Sequence, residues 1–215
     1  MIINMYKIEQ YDVFNSFLVS NAEYAGNEEL PIIKTSKLLP NKVILFSECL
    51  KINDYDQWVL FYEHDYKFMR LWRKPKTYLK ILKKFKGIIM CDYSMYRNMP
   101  LVMQKWSCYM NRALANYFIE NGIEVIPNIR WSDERSYDFI FDGIEKYSTI
   151  AIGSLGGNDT LENKYYFING FKKTIDVLKP KNIIIYGSVP NEILNDYPNI
   201  NFMIFKSTTY NYLES

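Results

Sequence analysis

Seven short apolar segments recur along the chain, and they constrain its fold more than any other feature of the sequence. They are rich in β-branched and aromatic residues, and most are continuously apolar rather than alternating. This pattern is typical of parallel strands that are buried on both faces of a sheet. The predicted strands are KVILFSE (42–48), QWVLFYEH (57–64), GIIMCDY (87–93), IEVIPNIRW (123–131), STIAIGS (148–154), NIIIYGS (182–188) and INFMIFKS (200–207).

Segments with helical spacing separate these strands. The clearest covers 101–121, where Trp106, Met110, Ala113 and Tyr117 recur at spacings of four, three and four. Pro100 suits the start of this helix, and Gly122 suits its C-terminal cap. A second helix is predicted over 163–178, where it ends before a Lys-Pro pair.

Repeated strand–helix units predict an α/β fold with a mainly parallel sheet and right-handed crossovers. Seven strands are too few for an eightfold barrel, so two architectures remain open: a partial or reduced TIM-barrel-like fold, or an open doubly wound sheet. Pro127 cannot donate to a strand ladder and therefore predicts an edge, a bulge or a strand end. We expect residues 1–40 to form an N-terminal extension and 41–215 to form a single α/β domain.

The composition argues against several classes of protein. The chain of 215 residues opens without a long apolar segment or a small-residue cleavage site, and no run approaches the roughly 18 apolar residues of a membrane span. We therefore expect a cytoplasmic protein with no membrane segment. Three cysteines without CxxC spacing and one histidine argue against a disulfide framework and a zinc site.

No cofactor and no metal is predicted. The alternative is an oxygen-only Mg²⁺ site built from carboxylates such as Asp65, Asp92 and Asp133, which spacing alone does not exclude.

Polar side chains follow five of the predicted strands at the point where each apolar run ends. In parallel α/β folds, ligands bind at the carboxyl ends of the strands. We therefore expect one polar rim there, formed by Glu63, His64 and Asp65; Asp92, Ser94, Tyr96 and Arg97; Asn128, Arg130, Trp131, Asp133 and Glu134; Gly153, Ser154, Gly156 and Gly157; and Tyr186, Gly187 and Ser188.

Asp92 is the predicted general base or hydrogen-bond anchor, because the change from GIIMC to DYSMYRNMP marks the end of a buried strand. Ser94 is a candidate positioning donor beside it. The alternative role for Asp92 is to cap the following turn or helix.

Ligand-binding candidates come from the next strand and from the aromatic residues. Arg130 offers a bidentate fork to a phosphate or carboxylate, with Asp133 or Glu134 orienting it. Tyr96 and Trp131 are candidate stacking walls. The alternatives are a surface ion pair and ordinary core aromatics. Asn128 and Tyr186 complete the candidate ligand set at neighbouring strand ends.

The glycine loop that starts at Gly153 and Ser154 lies between a predicted strand and a predicted helix. Backbone N–H groups in such a loop can cradle an anion. The spacing matches neither GxGxxG nor the P-loop pattern, so the alternative is that the glycines serve the turn alone.

Nine Lys or Arg residues and no acid lie between residues 66 and 86. Beyond Pro75, helical spacing gathers Lys80, Lys83 and Lys84 on one side. We interpret this stretch either as a solvated helix face or as a nucleic-acid contact whose affinity depends on salt.

Several motifs resemble one known family. The strongest are DYSMYRNMP (92–100) and IPNIRWSDERSYDF (126–139), within a similarity that covers roughly 40–190. They resemble the bacterial and phage family called domain of unknown function 4417. The resemblance implies a product of a phage or another mobile element and carries no established activity. Cys91 stands where the family typically has proline, and the glycine loop is also atypical.

Two functional hypotheses follow. In the first, the strand-end pocket binds a nucleotide, a nucleobase or a nucleic-acid end and supports hydrolase or glycosyl-transfer chemistry. In the second, the protein is a non-catalytic accessory factor that binds DNA, or a host or phage protein, in replication or in the inhibition of host defence. The sequence does not decide whether the protein is an enzyme, and it does not give the oligomeric state.

Overall fold

The computed structural model describes residues 12–155 and 160–207. The strands are β1 (Tyr24–Ala25), β2 (Leu30–Pro31), β3 (Val43–Leu45), β4 (Trp58–Leu60), β5 (Gly87–Ile89), β6 (Val125–Ile126), β7 (Thr149–Gly153), β8 (Asn182–Tyr186) and β9 (Asn201–Phe205). The α-helices are α1 (Phe46–Cys49), α2 (Asp65–Arg73), α3 (Pro75–Leu82), α4 (Leu101–Glu120), α5 (Leu161–Leu178) and α6 (Asn191–Asn195). Short 3₁₀ helices cover Ser16–Val19 and Glu134–Asp138.

The strands β3 to β9 lie side by side in chain order, and every pair is parallel. A regular ladder joins β3 to β6 and another joins β7 to β9. The residues that follow β6 connect the two ladders, because Ile129 N donates to Ala151 O over 2.9 Å and Ala151 N donates to Pro127 O over 2.8 Å. Pro127 therefore marks the end of β6, one of the three positions expected for it.

The sheet is strongly curved. Its inner face carries an apolar cluster formed by strand and strand-end side chains: Trp58, Leu60, Tyr62, Ile89, Ile126, Ala151, Ile184 and Tyr186. The rings of Tyr62 and Tyr186 stack at 5.1 Å between centroids, although β4 and β8 are four strand spacings apart. In a flat sheet that separation is about 19 Å between backbones, so the sheet curls to bring the two rings together.

The larger core lies on the outer face, between the sheet and the helices. It contains strand residues such as Val59, Ile88 and Ile150 together with Phe118 of α4 and Phe171 of α5. Right-handed crossovers that always advance in one direction put their helices on one face. Among the described residues, no helix combines the length and apolarity needed to cross a bilayer.

The α/β class and the mainly parallel sheet are confirmed. A TIM-barrel-like fold is not confirmed, because within the described residues β3 and β9 do not pair and the sheet is not closed. The alternative of a doubly wound sheet does not fit either, since the order of the described parallel strands does not reverse. Both predicted helices form, as α4 and α5, and each of the seven predicted strands contains an observed one.

Residues 12–40 of the predicted N-terminal extension contact the sheet and α4. Asn116 Nδ2 donates to Leu18 O over 2.9 Å, and Ser36 N donates to Val125 O over 2.8 Å. Leu18, Leu30 and Ile33 are buried in the outer core. Residues 1–11 lie outside the part of the chain that the structure describes.

Two buried polar residues on α4 fix the ends of neighbouring segments. Asn111 Nδ2 donates to Cys91 O, two residues after the end of β5, and its Oδ1 accepts from Arg112 Nη1 over 2.9 Å. Arg112 Nη2 in turn donates to Ile140 O over 2.7 Å. Arg112 is 2% exposed, so these carbonyl partners are what make the burial of its guanidinium tolerable.

The helix α5 is held against the strand ends by a close contact at Gly170. The Trp131 indole occupies the space where a Cβ at this position would lie, and Trp131 Nε1 donates to Tyr166 O over 3.1 Å. Glycine is thus required for the approach of the helix to the segment after β6.

Replacing Gly170 by alanine should lower the free energy of unfolding by about 1–3 kcal/mol, because the added methyl group overpacks the contact with Trp131. On an open helix surface the same change is stabilising by roughly 1 kcal/mol, so the sign is diagnostic. Urea unfolding measures the difference. Combining Gly170→Ala with Trp131→Phe should restore part of the loss, and a stabilised single variant would contradict the contact.

Candidate functional site

A cavity of about 890 Å³ opens at the carboxyl ends of the strands. Leu45 at the end of β3, Glu63 after β4, Asp92 after β5 and Arg130 after β6 all contribute to its wall. The helix α5 closes one side through residues that include Tyr166. Of the residues predicted for the polar rim, those that line it are Glu63, His64, Asp92, Ser94, Tyr96, Arg97, Arg130, Trp131 and Gly153.

Asp92 and Arg130 meet in this cavity from neighbouring parallel strands. Arg130 Nη1 donates to Asp92 Oδ2 over 3.2 Å, and Asn128 Nδ2 donates to Asp92 Oδ1 over 2.9 Å. The Asp92 side chain is 12% exposed and that of Arg130 29% exposed. Both Asn128 and Arg130 follow Ile126 at intervals of two, which in extended backbone puts them on the inner side of the sheet.

Burial raises the pKa of Asp92 above its ordinary value, although Arg130 and the hydrogen bond from Asn128 act in the opposite direction. The physical cause is the loss of hydration, which penalises the charged carboxylate. Asp92 is therefore a buried carboxyl whose proton affinity is increased and whose two oxygens have defined partners.

The expectation that Asp133 or Glu134 orients Arg130 is wrong. Asp133 binds Arg135 instead, with Nη2 to Oδ2 at 2.8 Å and Nε to Oδ1 at 3.0 Å, and it caps the 3₁₀ helix at Glu134–Asp138. Glu134 is exposed. The Arg135 hydrogen bond is also the main reason why the pKa of Asp133 is lowered.

Ser94 is fixed by Asp65 at the start of α2. Its hydroxyl donates to Asp65 Oδ1 and its backbone N–H donates to Asp65 Oδ2, both over 3.1 Å. Since that bond uses the hydroxyl proton, Ser94 has acceptor rather than donor capacity left for a ligand. The expected role of a positioning donor does not fit this arrangement.

The two predicted stacking residues differ in exposure. Tyr96 is 58% exposed at the cavity, whereas Trp131 is 8% exposed and contacts Phe167, with ring centroids 5.6 Å apart. Trp131 therefore contributes mainly to the contact with α5. Tyr96 is the better placed of the two for stacking on a ligand.

Three candidates lie beneath or beside the cavity rather than in its wall. Asn128 is buried under Asp92, and Tyr186 stacks on Tyr62. Ser154 is buried between strands, where its Oγ accepts from Ser188 N over 2.7 Å. These three residues are not among those that line the cavity. Gly156 and Gly157 of the proposed anion-binding loop lie outside the described residues.

The cavity also contains charged residues to which the sequence assigned no catalytic or ligand-binding role. Glu63 accepts hydrogen bonds from Ser47 N and Lys67 Nζ, both over 2.9 Å. Glu63 stands at a predicted strand end, so the strand-end rule identifies the position, whereas Lys67 falls within the basic stretch.

Arg97 spans the gap between the β5–α4 loop and α5. Its guanidinium lies 4.5 Å from the Tyr166 ring centroid, Nη1 donates to Asn163 Oδ1 over 2.8 Å, and Nη2 lies 3.4 Å from Glu162. Asn163 and Tyr166 both line the cavity. No sequence signal placed α5 over this wall, because their meeting depends on the tertiary arrangement.

The three lysines predicted to contact nucleic acid lie away from the cavity. Lys80, Lys83 and Lys84 are exposed at and after the end of α3. Lys84 Nζ lies 5.5 Å from the Tyr55 ring centroid and Lys86 Nζ lies 3.1 Å from Asp56. Tyr55 and Asp56 precede β4, so this basic surface, defined by lysines 80, 83, 84 and 86, is near the amino ends of the strands.

A metal centre is not formed by the carboxylates considered from the sequence. Asp65 accepts from Ser94, Asp92 from Asn128 and Arg130, and Asp133 from Arg135, each in a separate arrangement. Across residues 12–155 and 160–207, no group of three or more His, Cys, Asp or Glu side chains is placed to hold an ion.

Residues 22–206 match the family described as "Domain of unknown function (DUF4417)". The chain belongs to this family. The resemblance inferred from the motifs around Asp92 and Arg130 is thereby confirmed, and the match extends beyond 40–190 at both ends.

Two curated phage proteins are similar to this member of DUF4417. The "Gene 1 protein" of Mycobacterium phage L5 is 34% identical over 129 residues, which are 60% of this chain and 56% of the relative. The "Gene 1 protein" of Mycobacterium phage D29 is 31% identical over 127 residues, or 59% of this chain and 47% of the relative. The matched region thus spans about half the length of each relative. No solved structure matches the chain.

The raised pKa of Asp92 predicts a pH-dependent contribution to stability. Because the folded protein binds this proton more tightly than the unfolded chain, the contribution is complete below the unfolded value near 3.8 and is lost as the pH rises through the higher folded pKa. Relative to Asp92→Asn, wild type should therefore gain stability as the pH falls through that window.

Urea unfolding of both proteins between about pH 3 and pH 7 measures this difference. Asp133→Asn serves as the opposite case, since the pKa of Asp133 is lowered. Relative to that variant, wild type should lose stability as the pH falls below about 4. A pH-independent difference for Asp92→Asn would contradict the effect of burial.

Proposed function

We propose that the strand-end cavity binds a nucleotide, a nucleobase or a nucleic-acid end, with Asp92 as the acid–base group. The observation that carries the proposal is the hydrogen-bonded Asp92–Arg130 pair in the wall of a cavity of about 890 Å³. Cavities of this size, with mixed apolar walls and a few convergent polar groups, are typical of small-molecule sites.

The charges in the cavity favour an anionic ligand. Lys67, Arg97 and Arg130 supply three cations, whereas Glu63 and Asp92 supply two acids. Each of the two acids already has a cationic partner, since Lys67 binds Glu63 and Arg130 binds Asp92. The guanidinium of Arg130 is partly exposed and has more donors than Asp92 uses, which suits a phosphate or carboxylate oxygen.

The aromatic side chains favour a ring in the same ligand. Tyr96 is largely exposed, and Tyr166 lies beneath the Arg97 guanidinium. Planar heterocycles bind to tyrosine faces and to guanidinium planes by stacking. A phosphate joined to a heterocycle meets both requirements.

Asp92 suits general acid–base chemistry on such a ligand. A carboxyl whose pKa is raised by burial accepts a proton more readily near neutral pH than an ordinary aspartate. In a hydrolytic or glycosyl-transfer reaction, Asp92 takes the proton from the attacking water or hydroxyl as the oxygen bonds to the substrate carbon and the leaving group departs. The similarity to phage proteins is compatible with a nucleic-acid-related substrate, and we propose that the protein acts in the cytoplasm.

Thermal melting with a panel of nucleotides, nucleosides, free bases and short single strands tests the proposal. A ligand present at 100 times its Kd should stabilise the folded protein by about 2.7 kcal/mol. Arg130→Gln should weaken binding of the phosphorylated members at least tenfold, and Asp92→Asn should abolish any turnover detected by chromatography of the reaction products.

Asp56→Asn is the matched control, because Asp56 also pairs with a cation, Lys86, but lies near the amino ends of the strands. It should bind every ligand as wild type does. If no member of the panel shifts the melting temperature, or if Asp56→Asn and Arg130→Gln lose affinity equally, the pocket proposal fails.

A second candidate function is binding of nucleic acid through the basic surface without catalysis. The observation in its favour is that Lys80, Lys83 and Lys84 are all exposed within a stretch that has no acid from residue 66 to residue 86. Contact with phosphates of DNA releases counterions, so affinity falls steeply as salt increases. A protein partner of this surface is the remaining alternative.

A salt titration of DNA binding distinguishes the two functions. Binding through the basic surface predicts a linear fall of log affinity with log salt, and triple replacement of Lys80, Lys83 and Lys84 by Glu should abolish it. Asp92→Asn should have no effect on this binding. Salt-independent affinity, or affinity unchanged in the triple variant, would reject the basic surface as the DNA contact.

A further inference from the structure

Asp92 is connected to a buried tyrosine, Tyr62, that forms part of the cavity wall. The Tyr62 hydroxyl donates to Asn128 Oδ1 over 2.8 Å, and Asn128 Nδ2 donates to Asp92 Oδ1 over 2.9 Å. Tyr62 and Asn128 are each 2% exposed. The three side chains come from segments after β4, β6 and β5, so the connection joins three strand ends.

The amide of Asn128 has two chemically different ends, and its orientation decides what Asp92 meets. With the nitrogen toward Asp92, the amide donates to the carboxylate and favours the ionised form. In the reversed orientation, an amide oxygen faces a carboxylate oxygen, which is unfavourable unless Asp92 is protonated. A donor at Asn128 Oδ1 stabilises the first orientation, and the Tyr62 hydroxyl is that donor.

The Tyr62 ring has little freedom to move away. It stacks on Tyr186 with an interplanar angle of 8°. On another side it lies so close to Gly153 that a Cβ there would be 2.5 Å from the ring. Glycine at position 153 leaves room for the Tyr62 ring, and the stack with Tyr186 holds the ring in that place. Together these contacts keep the hydroxyl beside Asn128.

We propose that Tyr62 is a positioning residue for Asp92: it fixes the Asn128 amide, which holds Asp92 Oδ1 and directs the other carboxylate oxygen to Arg130. The functional value of this role rests on the proposed acid–base function of Asp92. The hydrogen bonds themselves do not depend on that function. It assigns to Tyr62 and Asn128 a task at the cavity that does not require contact with the ligand.

The charged and titratable groups around Asp92 are few. Arg130, after β6, lowers its pKa, and Asp65, at the start of α2, raises it. Tyr62 and Cys91 stay neutral in the accessible pH range, since burial raises the pKa of each. Neither Arg130 nor Asp65 forms a hydrogen bond with Tyr62 or Asn128 among the bonds of the described side chains. A change at Tyr62 therefore reaches Asp92 through Asn128.

The test is a carbon-detected NMR titration of the Asp92 carboxyl group in the ligand-free protein, with its signal identified by its loss in Asp92→Asn. Tyr62→Phe keeps the stacked ring and removes only the hydroxyl. It should raise the midpoint of Asp92 by about half a pKa unit or more, and Asn128→Ala should raise it by about one unit, a tenfold change in proton affinity.

The double variant separates positioning from general damage. Because Tyr62 acts through Asn128, adding Tyr62→Phe to Asn128→Ala should produce no further shift. Tyr137→Phe is the matched control, since it also removes a buried hydroxyl, one that has no hydrogen-bond partner. It should leave the Asp92 midpoint unchanged.

An unchanged midpoint in Tyr62→Phe would overturn the proposal, as would shifts that add fully in the double variant. Both readouts are obtained without ligand or turnover. They can therefore fail while the nucleotide panel succeeds, or succeed while it fails, so the positioning role and the proposed function are judged separately.

Discussion

The hydrogen bonds between the end of β6 and β7 are the interaction on which the rest of the structure depends. Pro127 O and Ile129 N bind the two backbone polar groups of Ala151 and so join a four-stranded ladder to a three-stranded one. The continuous parallel sheet can then curl as a unit, which brings Tyr62 against Tyr186. Asn128 lies between the two bonded residues and is thereby held under Asp92.

This junction combines two requirements at one place. Pro127 has no N–H to contribute, so the regular ladder ends there, yet its carbonyl still accepts from Ala151. The backbone beyond Pro127 pairs with β7 through a single parallel bridge and not through a regular ladder. It places the side chains of Asn128 and Arg130 on the inner side of the sheet, at the cavity. A regular strand in this position would continue the apolar inner face of the sheet. Because β6 ends at Ile126, polar side chains can follow on that face within two residues.

Two kinds of contact hold the segments that form the cavity wall in place. Polar groups on α4 hold backbone carbonyls: Asn111 binds Cys91 O next to Asp92, and Gln104 binds the carbonyls of Tyr96 and Met99. Aromatic contacts set the distance of α5, where Trp131 occupies the space above Gly170. A buried carboxyl with a raised pKa costs stability, and this surrounding structure offsets the cost.

The apolar runs predicted the seven strands and the parallel sheet because burial on both faces leaves a local signature. The strand-end rule also identified Asp92 and Arg130 as neighbours, since position in a parallel sheet follows from chain order. It failed for Asp133, which lies three residues from Arg130 but caps a helical turn and binds Arg135. It placed Arg97 in the polar rim but did not give its partners, because Asn163 and Tyr166 are more than 60 residues away on α5.

The sequence by itself therefore determined the elements, their parallel order and the group of polar residues that follows each strand, because these depend on hydrophobic pattern and chain connectivity. Only the tertiary structure decided the curvature of the sheet, the partners of each charged side chain and the burial that raises the pKa of Asp92. These depend on distances between residues that are remote in the chain, and local sequence carries no record of such distances.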